Sequence, residues 1–367
     1  MKFLDLKYNA FGLDINDSSI KIAKLEKNGG KFSVSSYGIT ELKPGIVESG
    51  VIKNEKALAD AIKSACENVK RKKIKVKYVF ISLPEEESFL QVIQMPKMDV
   101  KELKTAVIFE AENYIPLPIE QVYLDFQTIT PMKDGLDHID LLVAATPRKV
   151  VDSYINCVKL AGFTPICAEV ESQSTVRALI KNEISDNPVI LIDMGKNNID
   201  FIVFSGQSIR FTYSIPISQN KLTQAISENM KISIAEAEKL KIKYGLSGFE
   251  EKEKTDKEAK IVFQAMSPVL EDLVAQIKKY IDFYQEHASH EHLSGDTKIK
   301  KIIFGGGGAD LKEMTGFFTK KIGIEAEVGN PFINAPLKKN DEKIDYLSLT
   351  TALGLALGAI NIEKENK

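Results

Sequence analysis

Apolar and polar runs at the start of the chain predict antiparallel strands. Residues 11–15 (FGLDI) and 20–25 (IKIAKL) are apolar runs of strand length, separated by the polar tetrapeptide Asn-Asp-Ser-Ser at 16–19. Two such runs joined by a short turn-forming segment predict a β-hairpin. A further run near 31–37 predicts a third strand, so the chain opens with a small antiparallel meander.

The opening pattern returns in the second half of the chain. Residues 189–204 (VILIDMGKNNIDFIVF) contain an apolar strand, an aspartate at its end, a Gly/Asn-rich turn and a second apolar strand. The segment matches 11–25 element for element, which places Asp14 and Asp193 at equivalent positions. We interpret this pattern as an internal structural duplication.

The rest of the chain alternates helical and strand patterns. Residues 85–165 read as a small α+β unit inserted into a larger fold, with strands at 122–129 and 139–145. Residues 249–260 are charged and predict a loop, and 299–304 predict a further strand. Helical spacing occurs at 56–69, 103–114, 150–161, 222–229, 234–243, 261–286, 311–322 and 347–360.

Composition and charge are those of an ordinary globular protein. Of the 367 residues, 44% are hydrophobic and 27% are charged, and the formal net charge is −2, so nothing indicates a nucleic-acid partner. Three cysteines form neither an even set nor a CxxC pair, which argues against a disulfide framework and a zinc site. His287, His290 and His292 lie together in HASHEH, where we expect a solvated helix end rather than a metal site.

One apolar stretch, 346–362, resembles a membrane helix in composition but is short for a span. Gly354 and Gly358 have the GxxxG spacing, which allows close helix contact in membranes and equally in packed soluble cores. We expect a buried helix. The N-terminus lacks the apolar segment of a signal peptide, so we expect a cytoplasmic protein.

The two turns are candidate phosphate-binding sites. A tight turn between strands directs backbone N–H groups and hydroxyls to one end of a sheet, where they bind anions. One such turn alone is more simply an ordinary hairpin, whereas two facing turns favour a clamp around a phosphate chain. The candidate residues are Asn16, Ser18, Ser19 and Lys21 in the first turn, and Gly195, Lys196, Asn197 and Asn198 in the second.

Three acidic residues are candidates for metal binding and catalysis. Asp14 and Asp193 end equivalent strands, and we expect them to hold Mg²⁺ through water, because Mg²⁺ prefers oxygen ligands and keeps several waters. Glu171 precedes a predicted helix, where a carboxylate would orient an attacking water. The alternatives are Glu169 in that role, or an acidic helix start stabilised by the macrodipole.

A glycine run and one helix are candidates for the nucleoside side of the site. Gly305, Gly306, Gly307 and Gly308 follow an apolar strand, and the missing side chains let a flat ring and a ribose contact the backbone. The alternative is a flexible turn. Glu238 and Lys241 lie on one helix face, where they would bind ribose and base or form a solvated i,i+3 ion pair.

The segment 70–77 (KRKKIKVK) is strongly basic. We expect a solvated connection between a helix and a strand. The alternative is a surface for anionic lipids.

These motifs resemble those of the actin, Hsp70 and sugar-kinase superfamily. FGLDINDSSIKIAKL and VILIDMGKNNIDFIVF resemble its two phosphate motifs, IIFGGGGADLKEM resembles its adenosine motif, and the helix at 235–245 resembles the one that contacts the nucleoside. Within the superfamily the chain is most similar, over nearly all of its length, to the PilM family of type IV pilus assembly. The more particular signs lie in 109–129, 144–165 and 232–245.

The resemblance implies an α/β, actin-like (ribonuclease H-like, duplicated) two-domain ATPase fold with an FtsA-type inserted subdomain, and ATP with Mg²⁺ as ligand. The first half would comprise 1–84 and 166–188, and the insertion 85–165. The second half would comprise 189–367, with a smaller subdomain at about 222–298.

The resemblance also implies partners. Proteins of this family bind the cytoplasmic N-terminal segment of a PilN-like inner-membrane protein, and through it are linked to a PilO-like protein and the pilus motor ATPases. We therefore expect a cytoplasmic ATP-binding scaffold with at most slow ATPase activity, held at the membrane only through its partner. The alternatives are an FtsA-like filament or division protein, and a small-molecule kinase of the superfamily. Asn16-Asp17 and 215–220 lack glycines that related chains tend to have, which argues more against hydrolysis than against binding.

Overall fold

A computed structural model describes residues 9–28, 31–249, 256–288, 292–293, 297–336 and 345–361. Within these ranges the chain forms strands and α-helices that build two larger sheets and the layers around them. The strands are β1 (Ala10–Asn16), β2 (Ser19–Asn28), β3 (Lys31–Glu41), β4 (Val47–Glu48), β5 (Val51–Ile52), β6 (Lys70–Arg71), β7 (Tyr78–Leu83), β8 (Phe89–Pro96), β9 (Val122–Ile129), β10 (His138–Pro147), β11 (Thr164–Val170), β12 (Ser185–Met194), β13 (Ile199–Gly206), β14 (Ser208–Ile215), β15 (Lys301–Gly305) and β16 (Glu325–Val328). The helices are α1 (Glu55–Glu67), α2 (Val100–Ala111), α3 (Arg148–Leu160), α4 (Glu171–Leu179), α5 (Gln219–Met230), α6 (Ile234–Tyr244), α7 (Lys257–His287), α8 (Met314–Ile322) and α9 (Thr350–Asn361).

The first sheet is built on the predicted opening meander. Its strand order is β11-β7-β1-β2-β3-β6, with β1, β2 and β3 antiparallel and β7 parallel to β1. Helices α1 and α3 cover one face through a core that includes Phe11, Leu58 and Tyr154. Helix α9 covers the other face, against Ala23 and Leu25.

The second sheet repeats this plan. Its order is β16-β15-β12-β13-β14-β8-β10-β9, and β12, β13 and β14 form the second antiparallel meander. Helices α5, α6, α7 and α8 lie over one face, where Ile190, Phe201 and Val203 are buried. Helix α4 packs on the other face, against Leu191 and Ile202. The predicted duplication is therefore present as two sheets with equivalent strand-turn-strand units.

Helices α4 and α9 lie between the two sheets and pack against each other. Gly354 in α9 allows this close approach, because a Cβ there would overlap the carbonyl of Ser174 in α4. Gly12 lets β1 approach α9 in the same way, because its Cβ would overlap the carbonyl of Ala352. Leu353, Leu355 and most other apolar residues of α9 are buried, which confirms the expected core helix. Within the ranges given above, we find no helix that is both long and apolar enough to cross a membrane.

The inserted unit ends earlier than the expected boundary at 165. Strands β8, β9 and β10 with helix α2 form a separate core, and β8 pairs with β14, so the insertion extends the second sheet. Helix α3 instead buries Tyr154 and Val158 in the first core, and β11 pairs with β7. The last part of 85–165 thus belongs to the first half, because an apolar helix face and a strand edge both find their partners there.

Two further expectations are adjusted by the structure. The predicted loop 249–260 is helical from Lys257 onward, while 250–255 lie outside the described residues, as do 1–8 and His290. His292 is buried and its Nε2 lies 3.0 Å from the hydroxyl of Ser205, so this end of HASHEH is not solvated. Among the described side chains no cluster of His, Cys, Asp and Glu is arranged to hold a metal ion directly.

Candidate nucleotide-binding cleft

The first turn joins β1 to β2 at the end of the first sheet. Asp14 lies opposite Lys21 across the strand pair, and Asn16 lies opposite Ser19. The Asn16 Oδ1 accepts hydrogen bonds from the backbone N–H groups of Ser18 (3.1 Å) and Ser19 (2.9 Å). Two of the turn amides that the phosphate hypothesis uses as donors are therefore bound to the Asn16 side chain.

The second turn, between β12 and β13, faces polar groups of the first half. Gly195 is required because a Cβ there would overlap the carbonyl oxygen of Asn198. The Asn198 Nδ2 donates to Glu86 Oε2 at 2.8 Å, and the Lys196 ammonium lies 3.3 Å from Glu41. Both turns thus contribute to one cleft, and the second turn already makes polar contacts across it.

The predicted acidic residues meet at the base of the cleft. Asp14 is buried, accepts a hydrogen bond from the Ser82 hydroxyl (2.9 Å), and forms an ion pair with Lys21 (3.2 Å). Burial opposes the charge on Lys21, but the carboxylates of Asp14, Asp193 and Glu171 raise the pKa of its ammonium. Lys21 is therefore a cation paired with Asp14 within a cluster of acidic side chains.

Three further carboxyl groups of the cleft, those of Glu171, Asp193 and Asp200, bind protons more tightly than usual. Burial, with the charge of Asp14, raises the pKa of Glu171 well above its ordinary value. Burial also raises the pKa of Asp193, and burial with the charge of Glu85 raises that of Asp200. Such a cluster releases its protons when a cation enters, because an added positive charge favours the ionised form.

Glu238 and Lys241 form the predicted i,i+3 pair, at 2.8 Å, but the pair is not fully solvated. The Lys241 side chain is 4% exposed, and its ammonium also contacts the Thr223 hydroxyl (2.7 Å) and the Gln219 carbonyl (3.1 Å). The three donors of Lys241 each have an acceptor within the protein. Glu238, at 43% exposure, is the member of the pair that remains accessible from the cleft.

Gly306, Gly307 and Gly308 of the glycine run follow β15 and line the same cleft as α6. Gly306 has φ +78°, and a Cβ there would overlap the Asp193 carboxylate. A Cβ on Gly307 would lie 2.7 Å from the Ser348 hydroxyl, and one on Gly308 would overlap the Gln219 side chain. Gly305 is different, since it lies within β15 and its missing Cβ makes room for Leu179.

Apart from Gly305, the predicted site residues surround one cavity of about 300 Å³ between the two halves. This volume lies at the lower end of the range of about 300–1,000 Å³ for ligand pockets. The lining residues from the predicted set are Asp14, Asn16, Ser18, Ser19, Lys21, Glu171, Asp193, Gly195, Lys196, Asn197, Asn198, Glu238, Lys241, Gly306, Gly307 and Gly308. Glu169 lies outside the cavity and forms an ion pair with Arg177.

Sequence reasoning missed several polar residues of the cavity, among them Asp200, Glu86 and Gln219. A signal existed for Asp200, which occupies in the second hairpin the register position of Lys21 in the first. Glu86 comes from a short 3-10 helix that leads into the insertion, where no local pattern marks it. The Gln219 Nε2 is buried and has no hydrogen-bond partner among the described residues.

Comparison with known protein families assigns the chain to one of them. The family model described as "Type IV pilus assembly protein PilM" matches residues 12–360. The chain belongs to this family. The family match and the actin-like architecture agree with the resemblance inferred from the two phosphate motifs.

Similar proteins extend the comparison to other actin-like proteins. The cell division protein FtsA of Streptococcus pneumoniae is 26% identical over 64% of this chain and 55% of its own length, so the chain spans about half of that relative. FtsA of Borreliella burgdorferi is 24% identical over 97% of this chain and 92% of its own. A solved PilM–PilN type IV pilus biogenesis complex has a chain of similar fold, with TM-score 0.78, 23% identity, and coverage of 96% of this chain and 99% of that one. MreB5 of Spiroplasma citri, solved with bound ADP, has TM-score 0.55 and 13% identity over 97% of this chain and 98% of that one.

Proposed function

We propose that this chain binds ATP with Mg²⁺ in the cleft and acts as a nucleotide-dependent scaffold of type IV pilus assembly. The observation that carries the proposal is the single cavity lined by both turns, the glycine run and the acidic cluster. Solved structures of MreB5 with ADP and with AMPPNP, which share this fold, support the choice of nucleotide.

The residues present fit a magnesium nucleotide. Asp14 and Asp193 would accept hydrogen bonds from the water shell of Mg²⁺, and the bound Mg²⁺ would neutralise phosphate charge. Lys21 and Lys196 supply cations for the phosphates. The buried Gln219 Nε2 is an unused donor beside Gly308, where a ligand oxygen would satisfy it.

The state of Glu171 supports slow hydrolysis at most. A general base must be ionised to accept the proton of an attacking water. Burial raises the pKa of the Glu171 carboxyl and so favours its protonated form, which is not a base, in the metal-free cleft. The residue would become a base only after a bound cation lowers that pKa.

We further propose that the scaffold binds the cytoplasmic N-terminal segment of a PilN-like membrane protein, and through it a PilO-like protein and the motor ATPases. Family membership and the similar fold of the PilM–PilN complex support this partner. Binding of this segment would hold the protein at the inner face of the cytoplasmic membrane.

Calorimetric titration with ATP and Mg²⁺, with and without the cognate PilN-type N-terminal peptide, tests the proposal. We expect saturable binding of both ligands, and a loss of about tenfold or more in ATP affinity for Asp14→Asn and for Asp193→Asn. Asp282→Asn on the surface of α7 is the matched control. Unchanged ATP affinity and magnesium dependence in both cleft variants would exclude the assigned metal role, and ATP binding without peptide binding would favour the kinase or filament alternatives.

A further inference from the structure

The basic segment 70–77 forms a surface outside the nucleotide cleft. All six of its lysine and arginine side chains are exposed, and the segment contains no acidic residue. We propose that this surface binds the anionic headgroups of a phospholipid membrane. This direct contact goes beyond the partner-mediated attachment proposed above.

Alternation of side chains gives the segment a basic face. Ile74 and Val76 pack against the core of the first sheet, whereas Lys73, Lys75 and Lys77 are exposed. In an extended chain, side chains two residues apart lie on the same side, about 7 Å apart. These three lysines, called here the lysine row, therefore project together because their apolar neighbours are held in the core.

Both ends of the segment are fixed to the first sheet. The backbone N–H of Lys72 donates to the Ser35 carbonyl at 3.0 Å, and the N–H of Thr164 donates to the Lys77 carbonyl at 2.7 Å. The backbone of the lysine row is thus ordered before any ligand binds. Pre-ordering reduces the entropy lost on association.

The chemistry of the row favours a membrane over a single phosphate or carboxylate. Arg71 is the residue suited to bidentate binding of one anion, but its Nη1 donates to the Val34 carbonyl at 2.7 Å and its guanidinium stacks on Tyr37. In the described part of the chain, the ammonium groups of the lysine row form no ion pair or hydrogen bond. Separate, hydrated point charges match a surface that carries many mobile anions.

The position of the row leaves the cleft open. Tyr78, directly after the row, pairs with Ala10 at the start of β1, whereas the first turn lies beyond Asn16 at the other end of that strand. The two sites are therefore separated by the length of β1, about 20 Å. A membrane contact and an occupied cleft are compatible in one molecule.

Flotation of the full chain with vesicles tests the inference. Wild-type protein should bind vesicles of phosphatidylcholine with about 30% phosphatidylglycerol and not vesicles of phosphatidylcholine alone, because the attraction needs anionic lipid. The triple variant with Lys73→Gln, Lys75→Gln and Lys77→Gln should partition onto anionic vesicles about 100-fold less, because each lysine contributes roughly 1 kcal/mol of attraction. Salt of about 0.5 M should abolish binding, because it shortens the screening length.

Two further variants distinguish the loss of charge from a disturbance of the fold as the cause of reduced vesicle binding. Replacing the three lysines by arginine should preserve vesicle binding, and Lys239→Gln, Lys257→Gln and Lys278→Gln, exposed lysines of the second half, should have no effect. Equal binding to neutral vesicles, or undiminished binding by the glutamine variant, would overturn the proposal. The proposal would also be overturned if the lysine row were needed for binding to polyglutamate or DNA while the protein did not bind anionic vesicles. That result would assign the surface to another class of partner.

Discussion

At the scale of single residues, the cleft is a set of carboxylates placed around few cations. Asp17 lines the cavity, but its carboxylate accepts hydrogen bonds from the backbone N–H groups of Ser49 and Gly50. Glu86, which sequence reasoning missed, reaches across the cleft to Asn198. Desolvation and the nearby Asp17 charge raise the pKa of Glu86 to about 7.

The raised pKa of Glu86 predicts a pH dependence of nucleotide binding. An ionised Glu86 repels phosphate, so the affinity of the wild-type protein for Mg-ATP should rise as pH falls through about 7. This rise in affinity should be about threefold larger for the wild type than for Glu86→Gln. Protonation of ATP itself affects both proteins equally and cancels in the comparison. Glu112→Gln, outside the cavity, is the control, and parallel pH curves for wild type and Glu86→Gln would contradict the assignment.

The raised pKa of Glu86 also predicts the direction in which the stability of the fold changes with pH. Between pH 4.5, the ordinary carboxyl pKa, and about 7, the folded protein holds a proton at Glu86 that the unfolded chain releases. The contribution of this group to the free energy of unfolding therefore falls as pH rises through that window. Glu86→Gln removes this contribution.

At the scale of elements, the central packing is that of α9 against α4 and β1. The helix is rich in small residues, and it approaches backbone atoms so closely that Gly12 and Gly354 have no room for a Cβ. The GxxxG spacing therefore serves a packed protein core here, as expected from the short apolar stretch.

This contact predicts that Gly354→Ala lowers the free energy of unfolding by about 1–3 kcal/mol, the usual cost of overpacking a core. Gly316→Ala is the matched control, because Gly316 lies exposed in α8, where a Cβ meets only a carboxylate oxygen of Glu313 at 3.5 Å. There, alanine should stabilise the helix by up to about 1 kcal/mol. Urea titration of both variants checks the difference, and equal effects would show that the α4–α9 contact relaxes without cost.

At the scale of the whole molecule, two sheets with related plans are joined through α4 and α9 and enclose the cleft. A ligand that contacts both turns binds the folded protein and not the unfolded chain. ATP with Mg²⁺ at about 100 times its Kd should therefore add roughly 2.7 kcal/mol to the free energy of unfolding.

Thermal unfolding with and without ligand measures this coupling. We expect the melting temperature to rise with ATP and Mg²⁺ in wild type and to rise less in Asp193→Asn. Mg²⁺ without nucleotide gives the contribution of the metal alone. No shift at saturating ATP would contradict the proposed site.

Local sequence determined the elements that carry the cleft. The two strand-turn-strand segments appear where their apolar runs and turn residues place them, and a local capping box between Ser233 and Glu236 starts α6. These features are predictable because turn geometry, capping and strand alternation depend on residues a few positions apart. The equivalence of Asp14 and Asp193 followed from the same repeated pattern.

Tertiary structure decided which surfaces meet. It assigned α3 to the first core instead of the insertion, buried His292, and brought Glu86 opposite Asn198. Gly305, which the sequence placed in the site, lies outside the cavity, and its missing Cβ makes room for Leu179. None of these outcomes is encoded by neighbouring residues, because each depends on surfaces far apart in the chain that become adjacent only when the two sheets pack around α4 and α9.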